Sequence, residues 1–199
     1  MNMVHPLDAV YVAVALQRIP GEHKRPRGWQ LHALRFQGVV TVDAMSLKFK
    51  SLKDWNHANL NEQFQKFAGS SLVVGHAPSA LMKKILGGSV FGSTPLFLDI
   101  GDVAGQLQPH NTWKTIENLR DQLLGDEDEF PNDASLIHQA YLALLKDAEA
   151  LRGSELSAIA LGARESNPVA SALFANLASL APGNHTSESV ENLGESNQE

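Results

Sequence analysis

The chain has 199 residues, 43% of them hydrophobic, which suffices to bury roughly 70% of the unfolded surface in one core. It contains no cysteine, which excludes disulfide bonds, thiolate nucleophiles and thiolate metal sites. The formal net charge of -6 argues against general attraction to nucleic acid, but the last stretch holds Glu188, Glu191, Glu195 and Glu199 without any Lys or Arg, so the remaining charges nearly balance.

The first half of the chain predicts three strands and a helix. The apolar run DAVYVAVALQ, 8–17, is typical of a strand buried on both faces. Apolar and polar residues then alternate through 28–38 and 39–51, which predicts two half-exposed antiparallel strands. Apolar residues three and four apart in LNEQFQKFAG, 60–69, predict an amphipathic helix that ends at Gly69.

The second half alternates strands and helices. SLVVGH, 71–76, predicts a buried strand, and 78–86 predicts a helix that opens with proline. A short strand then ends near Asp99, and we expect Asp102 to cap the helix that follows. TWKTIENLRDQLLG has helical spacing, and PNDASLIHQAYLALLKDAEALRG predicts the longest helix, with Asn132 or Asp133 as its cap.

The end of the chain predicts an extension rather than a second core. Two short helices rich in Ala and Leu are expected within 154–181, and Ser154 is expected to cap the first. Their small apolar faces suit packing on the domain or on a second copy of the chain. The organisation predicted is a domain over 1–153, a helical extension over 154–182 and a disordered acidic tail over 183–199. The order of elements indicates an α/β domain with helices against a mixed sheet.

No stretch approaches the roughly 20 apolar residues that a membrane span requires, and the first residues lack a charged segment followed by an apolar one. We therefore expect a cytoplasmic protein with no membrane partner.

Three phrases in order carry a resemblance to a known family: LVVGHAPSALMKKIL, LDIGDVAGQL and DASLIHQAYLALL. Over about residues 8–150 the chain resembles the proofreading-type 3'-to-5' exonucleases, the ribonuclease H-like group that includes ribonuclease T and the epsilon subunit of bacterial replicative polymerase. The resemblance implies a ribonuclease H-like mixed sheet in a protein of bacterial type. Such enzymes hydrolyse phosphodiesters with two divalent ions about 4 Å apart, held by clustered carboxylates.

The family pattern requires Asp-x-Glu on the first strand, an Asp after the His-Asn phrase, and an Asp at the last helix with a His or Tyr shortly before it. At the matching positions this sequence has Ala15 and Gln17 for the first pair, Ala80 for the second Asp and Asp128 for the general base. Only Asp133 is retained. Because Mg²⁺ needs hard oxygen ligands, one carboxylate cannot hold two such ions, and the substitutions imply a catalytically inactive relative without a cofactor.

Several other residues are candidates for binding. The turn HKRPRG supplies Lys24, Arg25 and Arg27 beside Trp29. In the resembled fold this loop borders the substrate groove, so the cluster could hold a phosphate backbone with Trp29 or Trp55 as a stacking face. An alternative is a solvated loop with Trp29 buried on its strand. His76 could contact a phosphate or a base, although a tie between the strand end and a neighbouring element is the favoured interpretation.

The sequence thus predicts a non-catalytic module that binds single-stranded DNA or RNA, or a protein. The alternative is an active exonuclease with relocated ligands, such as Asp99, Asp133 and the acidic run 126–129, which would use Mg²⁺ or Mn²⁺. A third hypothesis is a scaffold that contacts only proteins, a second copy of this chain in a homodimer included.

Overall fold

The computed structural model describes residues 5–21, 27–57, 59–76, 96–110, 115–123 and 133–181. The predicted helix over 78–86, the acidic run 126–129 and the predicted tail over 183–199 lie outside these ranges.

Five strands form one mixed sheet in the order β3-β2-β1-β4-β5. The first three strands pair antiparallel, whereas β4 runs parallel to β1 and β5 runs parallel to β4. The strands are β1 (Val10–Ile19), β2 (Gly28–Gln37), β3 (Val40–Phe49), β4 (Leu72–Gly75) and β5 (Phe97–Asp99).

Seven helices are described in the ranges given above. They are α1 (Leu52–His57), α2 (Leu60–Ala68), α3 (Ile100–Leu107), α4 (Ile116–Leu123), α5 (Asp133–Glu149), α6 (Gly153–Ala163) and α7 (Pro168–Leu180). The protein is therefore an α/β domain with a ribonuclease H-like mixed sheet, flanked by helices and followed by the extra helices α6 and α7.

The central strand β1 separates two hydrophobic cores, because successive side chains of a strand point to opposite faces. Tyr11, Ala13 and Ala15 pack on the face that carries α3, α5 and the C-terminal helices. Val12, Val14 and Leu16 pack on the other face, against the buried side chains of α1 and α2. The continuous apolar run that predicted a doubly buried strand is thereby confirmed.

The edge strand β3 differs from its prediction. Its first half, Val40–Ala44, is exposed on both faces rather than half-exposed, and only Leu47 and Phe49 are buried. The helices α1 and α2 contact the core at the opposite end of this strand, so the alternation of apolar residues produces burial only there.

Two predicted helix caps are wrong. Helix α3 begins at Ile100, directly after the strand, so Asp99 rather than Asp102 caps it by accepting a hydrogen bond from the backbone of Gly101. Asp102 instead accepts a hydrogen bond from the side chain of Asn167 at 3.0 Å. Helix α6 begins at Gly153, ahead of the Ser154 expected to cap it.

Among the helices within the described ranges, none is both long enough and apolar enough to cross a membrane.

Candidate functional site

A cleft of about 740 Å³ opens at the carboxyl ends of β1 and β4, where α4 and α5 begin. The carboxyl ends of neighbouring parallel strands are the usual position of binding sites in α/β sheets. Its wall combines apolar, neutral polar and charged side chains: Ala15, Leu16, Gln17, Arg18, His76, Thr115, Ile116, Glu117, Asp133 and Ile137.

Three positions predicted from the family pattern lie together in this cleft. Ala15 and Gln17 are two residues apart on β1 and so share a strand face, and Asp133 is the first residue of α5. Ala80 and Asp128, the other two predicted positions, lie outside the described residues. The fold therefore brings the matched positions of the first strand and the last helix to one place.

The side chains at these positions do not fit a pair of hard divalent cations. Ala15 contributes a methyl group and Gln17 an amide, so Asp133 and Glu117 supply the only carboxylates on the described wall of the cleft. Mg²⁺ is usually held by carboxylates in near-octahedral geometry. Within the described parts of the chain, no group of three or more His, Asp or Glu side chains is placed to hold a metal ion.

His76 directly follows β4 and contacts the end of β5. Its Nδ1 lies 3.4 Å from Oδ1 of Asp99, a long hydrogen bond between two buried side chains. The same carboxylate oxygen accepts a hydrogen bond from the backbone of Gly101 at 3.0 Å. The ring thus links the end of β4 to the start of α3, which is the tie expected from the sequence.

The other ring nitrogen of His76 has no such partner. The side chain is only 4% exposed, yet Nε2 makes no hydrogen bond within the described structure. Buried polar atoms in proteins are nearly always paired, so an exception at the wall of a cleft calls for an explanation.

Arg18 lines the cleft at its β1 side, whereas Trp29 is partly buried against the core that contains α1 and α2, as the alternative interpretation of the sequence has it, and Trp55 is fully buried in the same core. The guanidinium of Arg18 lies 5.3 Å from the centre of the Trp29 ring, close enough for a cation–π contact. The two residues are directly opposite each other in the β1–β2 ladder. Arg27 is exposed just before β2, whereas Lys24 and Arg25 lie outside the described residues.

Sequence reasoning missed Arg18, Thr115 and Glu117 as residues of the cleft. Arg18 had an available signal, because it directly follows Gln17 at the predicted end of the first strand. Thr115 and Glu117 had none, since only the packing of α4 beside α5 brings them to the cleft.

No model of a known protein family matches the chain, and no curated protein sequence matches it.

Proposed function

We propose that the chain is a catalytically inactive, exonuclease-like protein whose cleft binds single-stranded nucleic acid. The observation that carries this proposal is the meeting of Ala15, Gln17 and Asp133 in one cleft. These positions match the metal-binding acids of the resembled exonucleases, and two of the three hold residues without a carboxylate.

The chemistry of these residues argues against hydrolysis. Phosphodiester cleavage by two metal ions needs one ion to generate hydroxide and another to stabilise the leaving oxygen. A methyl group cannot bind Mg²⁺ and a neutral amide oxygen binds it more weakly than a carboxylate does, so Ala15 and Gln17 cannot replace the missing acids. The two carboxylates on the described wall, Asp133 and Glu117, would leave each of two ions with most of its water ligands.

The residues beside the cleft favour nucleic acid over protein as the partner. Arg18 on the cleft wall offers a positive charge for a phosphate, and the partly buried ring of Trp29, which Arg18 contacts but which does not line the cleft, is the aromatic side chain proposed to stack with a base. Bases of single strands are free to stack on aromatic side chains, whereas those of a duplex are not. A predominantly protein-binding role is the alternative outcome of the experiment below.

The first experiment measures the affinity of fluorescent single-stranded RNA and DNA oligonucleotides by anisotropy at several salt concentrations. Arg18→Ala is expected to weaken binding about tenfold, because one hydrogen-bonded ionic contact to phosphate is lost. The slope of log affinity against log salt is expected to fall by about 0.7, the value for one phosphate of a single strand.

Arg152→Ala is the matched control. It removes the same charge at the far end of α5, whose 17 residues span about 25 Å from Asp133. It is expected to leave affinity and salt slope unchanged. An equal loss of oligonucleotide affinity in Arg18→Ala and Arg152→Ala, or no binding by the wild-type chain, contradicts the proposal and favours a protein partner. Degradation of the oligonucleotides with Mg²⁺ or Mn²⁺ that Asp133→Asn abolishes supports the alternative of an active exonuclease.

A further inference from the structure

The sheet continues the wall of the cleft beyond β1. Gln17, on the cleft wall, is paired with Gln30 of β2, and Gln30 is paired with Lys48 of β3. Residues paired across neighbouring strands point to the same face of a sheet, so these three side chains form one row. Neighbouring strands lie about 4.8 Å apart, so the row extends roughly 10 Å from β1. The cleft therefore borders the face of β2 and β3.

A second row lies next to the first on the same face. Ala15 of the cleft is paired with His32, and His32 is paired with Ser46. Ser46 and Lys48 are exposed, and Gln30 and His32 are partly buried. Nε2 of Gln30 donates a hydrogen bond of 2.9 Å to Oγ of Ser46. These residues form a polar strip that adjoins the cleft: Gln30, His32, Ser46 and Lys48.

The polar strip carries a positive charge, whereas the helices at the cleft are acidic. Asp43 is the one acidic residue of β2 and β3, and it is paired with Arg35. The guanidinium of Arg35 lies 4.8 Å from the centre of the Phe67 ring, on the face that carries α1 and α2, so Asp43 points away from the strip. The cleft carboxylates, Glu117 and Asp133, belong to α4 and α5. A polyanion that leaves the cleft is therefore repelled from the helices and attracted to the strip.

We propose that the polar strip is a second binding subsite, along which single-stranded nucleic acid continues from the cleft. This inference rests on the proposed function of the cleft. The ammonium group of Lys48 binds a backbone phosphate, and the side chains of Gln30 and His32 form hydrogen bonds with the nucleotide beside it. Phosphate contacts position a strand without reading its sequence, so the strip increases the length of strand that the protein binds.

The experiment compares two strands of uridylate or thymidylate, whichever the chain binds more tightly. One is a dinucleotide, whose single phosphodiester is bound by Arg18, and the other has about eight nucleotides. Calorimetric titration is expected to show at least about tenfold tighter binding of the longer strand by the wild-type chain. Lys48→Gln is expected to weaken the longer strand about tenfold, to lower its salt slope by about 0.7 and to leave the dinucleotide unchanged.

Lys146→Gln is the matched control, because it removes the same charge from an exposed side chain in the last turn of α5. It is expected to leave both affinities unchanged. Arg18→Ala is expected to weaken both ligands, since both use the cleft. An equal loss in Lys48→Gln and Lys146→Gln, a loss in Lys48→Gln that is the same for both ligands, or equal binding of the two ligands by the wild-type chain overturns this inference alone. Absence of any binding overturns the proposed function as well.

Two further readouts separate a phosphate contact from an indirect effect of the substitution. Lys48→Arg keeps the charge and is expected to keep the affinity for the longer strand. In the wild-type chain, the backbone amide resonances of Ser46 and Lys48 are expected to shift with the longer strand and to stay in place with the dinucleotide. Shifts confined to residues of the cleft with both ligands overturn the inference.

Discussion

His138 is a buried histidine in the core, distinct from the histidine of the cleft. Its ring is 4% exposed and stacks on Phe36 with 3.7 Å between ring centres. A hydrogen bond of 2.6 Å joins its Nδ1 to the hydroxyl of Tyr11. Burial lowers the pKa of His138 from 6.5 to about 4, because the core disfavours the charged ring.

This burial predicts that acid weakens the fold before most carboxylates titrate. Between pH 6.5 and about 4 the unfolded chain binds a proton at residue 138 that the folded chain does not. The contribution of the neutral His138 ring to stability is therefore complete above pH 6.5 and falls by up to about 1.4 kcal/mol per pH unit down to about pH 4. Urea unfolding at a series of pH values measures this loss.

The double variant Tyr11→Phe with His138→Leu is the control, because it removes both partners of the hydrogen bond and leaves no buried hydroxyl unpaired. It is expected to lose most of the pH dependence between 6 and 5, where the remaining carboxylates are still ionised. An unchanged dependence in the double variant would show that other groups cause it.

Helix α3 contains a glycine, Gly101, that packs against the His76 ring. Its replacement by alanine separates two effects on stability: the clash with the ring and the higher helix propensity of alanine. Gly101→Ala places a Cβ 2.8 Å from the His76 ring, and we expect it to lower the free energy of unfolding by about 1–3 kcal/mol. Gly162→Ala in α6 meets no atom within 4 Å and is expected to raise it by up to about 1 kcal/mol. Urea denaturation measures both, and an equal effect of the two changes would contradict the close fit of the ring.

At the scale of single elements, the sequence predicts the strand β1 and the helix α5 but not where the helix α3 begins. The apolar run of β1 and the long helix α5 were predicted because burial on two faces and helical spacing are recorded in residue order. The sequence pattern predicts Asp102 as the cap of α3, because it does not show that the helix starts directly after the strand. Capping preferences favour Asp99 and Asp102 equally. The residue at which the strand passes into the helix decides which of the two is the cap.

At the scale of the whole molecule, the resemblance to the exonuclease pattern predicts which positions of the first strand and the last helix meet, and the order of the elements alone predicts only an α/β domain. Ala15 and Asp133 are far apart in the sequence, but the ends of β1 and α5 bring them to one wall. The contribution of α4 could not be predicted, because Glu117 reaches the cleft through helix packing that no local pattern encodes. The unpaired Nε2 of His76 likewise depends on three-dimensional surroundings.

The shared location of the three matched positions predicts that carboxylates placed there form a metal site. In EDTA, Ala15→Asp combined with Gln17→Glu should lower the free energy of unfolding. Ala15 is only 6% exposed, so the new Asp charge is buried, and Asp133 in the same cleft repels both new carboxylates. Mn²⁺ at 100 times its dissociation constant should then raise the free energy of unfolding by about 2.7 kcal/mol. Thermal unfolding with and without Mn²⁺ measures the difference.

The wild-type chain is expected to show no comparable response to Mn²⁺, because a methyl group and an amide replace the two acids. Adding Asp133→Asn to the double variant should abolish the response, since the ion then loses the ligand that α5 contributes. A double variant that responds to Mn²⁺ no more than the wild type would mean that these positions are too far apart to share one ion. Because the measurement follows binding and not catalysis, it tests the geometry of the cleft even when no hydrolysis is restored.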